Sequence, residues 1–323
     1  PCEAEYSYGG EADLRTHYNI CEKNPGHKSF IPVDKFNMKN LPQGFCDEQM
    51  LNYIRAVSDL TVRVTVKYFS RRRPATLPDS NKPYPGFRVR GQRRITVGTG
   101  CVESVRVYDA STGYTCKCKD CQNSGTPKRN FAIISIKTAS HVVFDQSEAE
   151  ETTCHLFFDS GDTPDTCSGV VALTGMSCRL SVVKEDLCHM DHYTHDLDLA
   201  HRLRKIFLRR CHLRYELYDV MPRLGQCNWA ENIPGMWPMA FVVSHPHGSS
   251  KKITLGCWKS AYESEHDEMA SCYIYTTDTC PGSSGAEVCL LGSYAEQGLS
   301  TIPASHHGSF PSMAEMNRCF STP

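Results

Sequence analysis

The sequence predicts a mainly β protein that folds as a sandwich or a barrel. Short runs of β-branched and aromatic residues recur along the chain, with glycine and aspartate residues between them. Many short strands separated by turn residues are typical of antiparallel sheets rather than of βαβ units. The runs that predict strands are 94–98, 103–108, 131–136, 154–158, 170–173, 177–183, 239–244, 252–255, 273–276, 288–291 and 299–302.

The segments between these runs divide the chain into units. A helix is expected over 46–58, and residues 60–68 alternate apolar and polar side chains, which predicts a half-buried strand. The proline- and arginine-rich stretch 71–94 is interpreted as a solvated linker, with polyanion binding as the alternative. Leucines at helical spacing predict a helix over 195–218. We therefore expect an N-terminal Cys/His-rich extension (1–90), a first β unit (91–195), a helical connector (196–220) and a second β unit (221–323).

The composition favours a globular protein and gives little support to several other classes. The chain has 323 residues, of which 40% are hydrophobic and 22% charged, and its formal net charge is −1. The near-neutral charge gives no argument for nucleic acid or an anionic membrane as a partner. Because no apolar run reaches the length of a membrane span, no membrane partner is expected. The sequence does not indicate the oligomeric state.

The chain contains 18 cysteines, an even number that suits disulfides and an extracellular location. However, no Asn-X-Ser/Thr sequon occurs, and some cysteines have the spacing of metal ligands. Cys116, Cys118 and Cys121 are candidate ligands of a structural zinc whose fourth ligand comes from elsewhere. Disulfides to distant cysteines are the alternative.

A second structural zinc is considered near the N-terminus, where Leu14-x-x-His17-x-x-x-Cys21 is similar to the helical half of a zinc finger. Cys2 and His27 would complete the four ligands that such a site needs, although the Cys-x-x-Cys half of a finger is missing. Val243-Ser-His-Pro-His-Gly248 is interpreted as a turn that ends a core strand, with a pair of metal ligands as the alternative.

Three motifs carry candidate chemistry. Ser284 lies in Gly282-Ser-Ser-Gly285, a turn that would direct the amides of Gly282 and Ser284 at an oxyanion; a simple hairpin loop is the alternative. His141 directly follows a predicted strand and is the candidate general base. Asp196 and Asp198 are the candidate carboxylates that orient it, with a helix cap as the alternative role for Asp196.

The order His, Asp, Ser and the motifs Thr138-Ala-Ser-His141 and Gly282-Ser-Ser-Gly285 resemble the chymotrypsin-like serine protease superfamily. The chain is also similar to a cysteine-rich molluscan group without established function, through Thr138-Ala-Ser-His-Val-Val-Phe-Asp145, Val243-Ser-His-Pro-His-Gly248 and Thr279-Cys-Pro-Gly-Ser-Ser-Gly-Ala286. The protease resemblance covers roughly residues 94–323 and implies two six-stranded β-barrels of chymotrypsin type. It also implies a serine endopeptidase that acts on peptides or proteins and needs no cofactor for catalysis. The helix predicted after Asp198 has no counterpart in trypsin and would be an insertion, and the Cys/His-rich N-terminal part would be an α+β extension.

The resemblance also implies a specificity pocket. Asp278 stands where trypsin-like enzymes pair with Arg or Lys, which predicts cleavage after basic residues. His306, His307 and Gly308 stand where the pocket walls are expected, and a histidine there is similar to enzymes that accept Glu or Gln. Two other functions remain open: a catalytically silent protein with a structural, storage or binding role, and a zinc-dependent binding module.

Overall fold

The computed structural model describes residues 2–224, 239–264, 267–295, 298–309 and 317–321. Within these ranges the side chains of 218–224, 259–264, 267–272, 292–295, 298–304, 307, 309 and 318–321 are not described. None of the helices in this part of the chain has both the length and the apolar character needed to cross a bilayer.

The described chain is mainly β, with antiparallel sheets and few helices, which is consistent with a chymotrypsin-like fold. The strands are β1 (Glu5–Ser7), β2 (Ile31–Pro32), β3 (Thr61–Val66), β4 (Ile95–Tyr108), β5 (Phe131–Thr138), β6 (Thr152–Leu156), β7 (Val171–Leu173), β8 (Ser177–Val182), β9 (Leu187–Thr194), β10 (Met239–Ser244), β11 (Lys252–Ser264), β12 (Asp267–Tyr275), β13 (Glu287–Ala295), β14 (Gly298–Ser309) and β15 (Asn317–Ser321). The α-helices are α1 (Glu11–Asn19), α2 (Glu48–Leu60), α3 (Lys119–Gln122), α4 (Gln146–Ala149) and α5 (Leu197–Leu224).

The first sheet has the strand order β7-β6-β3-β4-β5-β9-β8, and β1 pairs with β4 outside this path. Its inner face buries aliphatic side chains such as Val64, Ile134 and Leu156 in one core cluster. Burial of this apolar area is the main force that holds the sheet together. In the described residues the pairing path stays open.

The second sheet has the order β10-β13-β14-β15-β12-β11-β2, and β10 also pairs with β11. The pairings of the six strands β10 to β15 therefore return to their starting point and form a closed ring. Thus one of the two predicted sets of six strands closes on itself.

Helices α2 and α5 pack against each other beside this ring. Helix α2 begins where Asp47 Oδ1 accepts hydrogen bonds from the amides of Gln49 (2.7 Å) and Met50 (3.2 Å), a typical N-cap. Both sides of β3 are buried, although the alternating pattern predicts one solvent face. The reason is that Arg63 on the polar side is covered, and its guanidinium donates to Glu11 of α1 at 2.8 Å.

Two expectations for the N-terminal third need correction. The predicted boundary near residue 90 does not separate an extension from the first β unit, because β3 lies between β4 and β6 in the same sheet. The stretch 71–94 is not wholly a solvated linker either, since Arg73 is fully buried in an ion pair with Glu148 (Nε–Oε1, 2.6 Å). Arg73 also donates to the backbone carbonyl of His141 at 2.9 Å, so this stretch contacts the candidate general base.

Candidate active site and metal clusters

The two sheets meet at the loop that contains Ser284. His141 follows β5 of the first sheet, and Ser284 lies between β12 and β13 of the second. The amide of Thr99 in β4 donates to the carbonyl of Ser284 at 2.8 Å, while the hydroxyl of Thr138 donates to the carbonyl of Thr99 at 2.7 Å. A side chain at Gly285, whose φ is 84°, would collide with this contact. The approach of the two sheets therefore requires glycine there.

A carboxylate holds the His141 ring from one side. His141 Nδ1 lies 2.6 Å from Asp186 Oδ2, and Asp186 Oδ1 accepts hydrogen bonds from the His141 amide (2.8 Å) and the Ser140 hydroxyl (2.9 Å). These contacts assign the Nδ1 proton to the bond with Asp186, and they leave Nε2 as the basic nitrogen. Nε2 is buried and makes no hydrogen bond within the described chain.

The partner of His141 is therefore neither Asp196 nor Asp198, contrary to expectation. Asp196 Oδ1 accepts a hydrogen bond from the Leu199 amide at 2.9 Å, so this exposed residue caps the start of α5. Asp198 is exposed in the first turn of the same helix. The sequence did not identify Asp186 as the partner of His141, because Asp186 lies in a polar turn. The available signal was its position directly before β9, the strand that pairs with the strand leading to His141.

The N-terminal segment of the chain itself occupies the cleft. The Ser284 hydroxyl donates to the backbone carbonyl of Glu3 at 2.8 Å. Cys2 forms a β-bridge with Gly308, and its sulfur lies within 4.8 Å of a ring nitrogen of His141. After Glu3 in the chain, β1 pairs antiparallel with β4. The segment thus crosses the site in an extended conformation between the two sheets.

The Glu3 side chain enters a polar pocket. Its carboxylate lies 3.3 Å from His306 Nε2, accepts a hydrogen bond from the Thr279 hydroxyl at 3.2 Å, and forms an ion pair with Lys23. Burial alone would raise the pKa of Glu3, but hydrogen bonding and charge from His306 and Lys23 lower this pKa below its usual range. Because the tyrosine hydroxyl of Tyr275 lies against Nδ1 of His306, the ring is held in place.

The other predicted pocket residues lie differently. Asp278 Oδ2 accepts a hydrogen bond from the Ser29 hydroxyl at 2.5 Å. Gly308 contributes the bridge to Cys2, while the side chain of His307 lies outside the described residues. Among the predicted pocket residues whose side chains are described, His306 is the one that contacts Glu3.

The loop around Ser284 leaves two amides available. Those of Ser283, Gly285 and Ala286 donate to backbone carbonyls. The amides of Gly282 and Ser284 make no hydrogen bond with the described residues. Gly282 has a φ of 94°, a conformation that favours glycine. Its amide and that of Ser284 are the two predicted to face an oxyanion.

Cys116, Cys118 and Cys121 converge with His195, which supplies the fourth candidate ligand that the sequence did not identify. His195 Nε2 lies 3.8 Å from Cys118 Sγ and 3.5 Å from Cys121 Sγ. Three sulfurs and one imidazole form a donor set typical of structural zinc.

A second cluster includes only two of the four residues expected as N-terminal ligands. Cys21 and His27 converge with His247 and Cys280, and all four residues are buried. The other two expected ligands lie elsewhere, since His17 Nδ1 contacts Glu5 at 2.7 Å and Cys2 lies beside His141. Burial, aided by the nearby His247, lowers the pKa of His27 to about 4, so its ring is neutral at pH 7.

The disulfide prediction is not supported by the described residues. No disulfide joins two of the cysteines whose side chains the structure describes. The sulfurs of Cys21 and Cys280, for example, are 3.6 Å apart, far beyond the ~2.05 Å of a disulfide bond.

No protein-family model and no curated protein matches the chain. Among solved structures, it is similar to the active form of the Rv3671c protease from M. tuberculosis, with 12% identity, a TM-score of 0.38, and coverage of 85% of this chain and 82% of that one. It is also similar to the thermostable serine protease AL20 from an extremophilic microorganism, with 11% identity, a TM-score of 0.34, and coverage of 83% and 92%. At such TM-scores, the functional inference depends on the residues of the cleft.

Proposed function

We propose that the chain is a serine endopeptidase in which Ser284 is the nucleophile, His141 the general base and Asp186 the residue that orients His141. The observation that carries this proposal is the 2.8 Å hydrogen bond from the Ser284 hydroxyl to the carbonyl of Glu3. A peptide carbonyl thus lies at the nucleophile, within an extended segment paired on both sides, which is how a peptide substrate binds an edge strand.

The geometry supports acyl transfer. Ser284 Oγ attacks the carbonyl carbon while His141 Nε2 takes its proton, and Asp186 stabilises the imidazolium that forms. The free amides of Gly282 and Ser284 stabilise the oxyanion. The imidazolium then protonates the leaving amine, and water hydrolyses the resulting ester with His141 as base again. The Ser284 hydroxyl turns from the Glu3 carbonyl to His141 as the reaction begins.

The pocket supports selectivity for glutamate rather than for basic residues. Lys23 and His306 both face the Glu3 carboxylate, and a Lys or Arg side chain would meet the Lys23 ammonium in a largely buried site. Asp278, on which the prediction of basic specificity depended, is engaged by Ser29. A buried site built to bond a carboxylate discriminates strongly against side chains that leave its polar groups unpaired.

A fluorophosphonate label followed by digestion of a peptide library tests this function. We expect stoichiometric labelling of wild type, retained in Ser111→Ala, an exposed loop serine, and absent from Ser284→Ala. Cleavage should follow Glu. Cleavage confined to Lys and Arg would contradict the proposed selectivity, and a folded protein without labelling or cleavage would support the catalytically silent alternative.

A further inference from the structure

The contact between Ser284 and Glu3 identifies one peptide bond of the chain itself as a candidate for cleavage. The carbonyl carbon of Glu3 lies one bond of ~1.23 Å from the oxygen that accepts the Ser284 hydrogen bond. The bond that would break at that carbon joins Glu3 to Ala4. Residues 3, 5 and 7 are buried and residues 2, 4 and 6 half-buried, the alternation of an extended strand.

The chain is held firmly on the side of the leaving amine. The residues Glu5, Tyr6 and Ser7 pair with Val97, Thr96 and Ile95 of β4. The Glu5 carboxylate is buried between His17 (2.7 Å) and His247 (2.5 Å). Upstream of the bond, a β-bridge joins Cys2 to Gly308.

Given the endopeptidase function on which this step depends, we propose that the protein cleaves its own Glu3–Ala4 bond within the same molecule. Ser284 Oγ bonds to the Glu3 carbonyl carbon, and His141 transfers the serine proton to the Ala4 nitrogen as the C–N bond breaks. Water then hydrolyses the Glu3 ester, which regenerates the Ser284 hydroxyl and leaves a carboxylate on Glu3. The products are a chain that begins at Ala4 and the peptide upstream of it.

The test uses the full chain with an affinity tag fused before Pro1, analysed by intact mass and N-terminal sequencing over time. We expect a new terminus at Ala4, at a rate unchanged by a ~100-fold dilution, because an intramolecular step is independent of concentration. Ser284→Ala should remain intact. Glu3→Gln should be cleaved about 10- to 100-fold more slowly, the factor that a hydrogen bond to a charged group contributes, while Glu22→Gln, at an exposed position, keeps the wild-type rate.

The outcomes separate the two proposals. If the wild-type protein cleaves a Glu-containing peptide but leaves its own Glu3–Ala4 bond intact, self-cleavage is refuted and the endopeptidase function stands. A rate proportional to concentration would overturn the intramolecular step. If the wild-type protein takes up no fluorophosphonate label and cleaves neither the Glu-containing peptide nor its own Glu3–Ala4 bond, the endopeptidase function itself is refuted.

The cluster of Cys21, His27, His247 and Cys280 carries a second inference, independent of the first. The Cys280 sulfur lies 3.6 Å from Cys21 Sγ and 3.5 Å from His27 Nε2. A tetrahedral zinc with bonds of about 2.3 Å to sulfur and about 2.0–2.1 Å to nitrogen separates two sulfurs by about 3.8 Å and a sulfur from a nitrogen by about 3.6 Å. The observed spacing fits this geometry.

The histidines of this cluster are arranged as ligands. His247 donates from Nδ1 to Glu5, while its Nε2 is buried and makes no hydrogen bond in the described chain. A carboxylate on the second nitrogen is the usual partner of a zinc-bound histidine. Both histidines have positive φ values, 47° for His27 and 51° for His247, and such backbone strain concentrates at functional sites.

We infer that these four residues bind a structural zinc, which we call the zinc clasp. It would join the segment after α1 (Cys21, His27) to the turn after β10 (His247) and to the loop of Ser284 (Cys280). Four protein ligands leave no open position, so the metal holds the loop and takes no part in the reaction.

Metal analysis of the purified chain tests the clasp. We expect Cys280→Ser to lose one zinc per chain relative to wild type and to Cys211→Ser, at an exposed position in α5, whereas His27→Cys retains it. Cobalt substitution should give a tetrahedral thiolate spectrum that changes in His27→Cys. Unchanged zinc content in Cys280→Ser, or a Cys21–Cys280 disulfide in the non-reduced protein, would overturn the clasp.

Discussion

Replacement of Asp186 by asparagine tests the proposed catalytic geometry most sharply. Asp186 accepts three hydrogen bonds, from Nδ1 and the amide of His141 and from the Ser140 hydroxyl. Asparagine has the same shape as aspartate, but its side-chain NH₂ group can only donate hydrogen bonds. At least one of the three donors around Asp186 would then face another donor. If the NH₂ group faces Nδ1, the ring proton moves to Nε2, and the nitrogen that should accept the serine proton is blocked.

The expected loss is large. The corresponding change in a serine protease lowers kcat by about 10⁴, and this factor equals about 5.4 kcal/mol of lost transition-state stabilisation at about 1.36 kcal/mol per tenfold change. The measurement is kcat on a Glu-containing peptide, with urea denaturation to confirm folding. Fluorophosphonate labelling should slow in parallel.

Asp196→Asn is the matched control. Asp196 caps α5, and asparagine caps helices about as well as aspartate, so neither kcat nor stability should change by more than a few tenths of a kcal/mol. If Asp196→Asn abolished activity while Asp186→Asn left kcat within about tenfold of wild type, the assignment of Asp186 would be refuted.

Three further predictions concern stability, metal and pH. Arg73→Met should cost about 3–5 kcal/mol of unfolding free energy in urea denaturation, because the buried Glu148 carboxylate loses its cation and keeps only hydrogen bonds such as those from the Ser70 and Phe144 amides. Cys121→Ser should lose one zinc per chain in metal analysis, whereas Cys46→Ser, at an exposed position, should lose none. In Ser284→Ala, the carboxyl of Glu3 should titrate by NMR below the ordinary glutamate pKa of about 4.3. Its docking should therefore be stabilised above that pH and lost as the pH falls through the lowered pKa; titration at or above the ordinary value would contradict the pocket.

Sequence patterns predicted the features that depend on neighbouring residues. Most of the strands and the positions of His141 and Ser284 follow from local patterns and turn chemistry, and α5 follows from helical spacing. A helix was also expected at α2, whereas the short strands β1, β2 and β15 were not predicted. Partners that come together only in the folded chain were harder to predict. Cys21 and Cys280 are 259 positions apart, and no spacing rule links them. Asp186 lies in a polar turn with other charged residues, and no sequence pattern distinguishes it from them. Asp196 was predicted instead because its neighbours are apolar.

The position of Glu5 connects the proposed cleavage to the proposed zinc clasp. Glu5 lies two residues after Glu3, and its carboxylate contacts the clasp ligand His247. Cleavage between Glu3 and Ala4 would leave Glu5 and its pairing with β4 intact, so the clasp would keep its carboxylate partner. The upstream product, which includes the bridge from Cys2 to Gly308 and the Glu3 side chain, would no longer be tethered to the chain and could leave. Its departure would empty the pocket formed by His306, Thr279 and Lys23 and open Ser284 to other substrates, while the loop that carries Ser284 stays fixed.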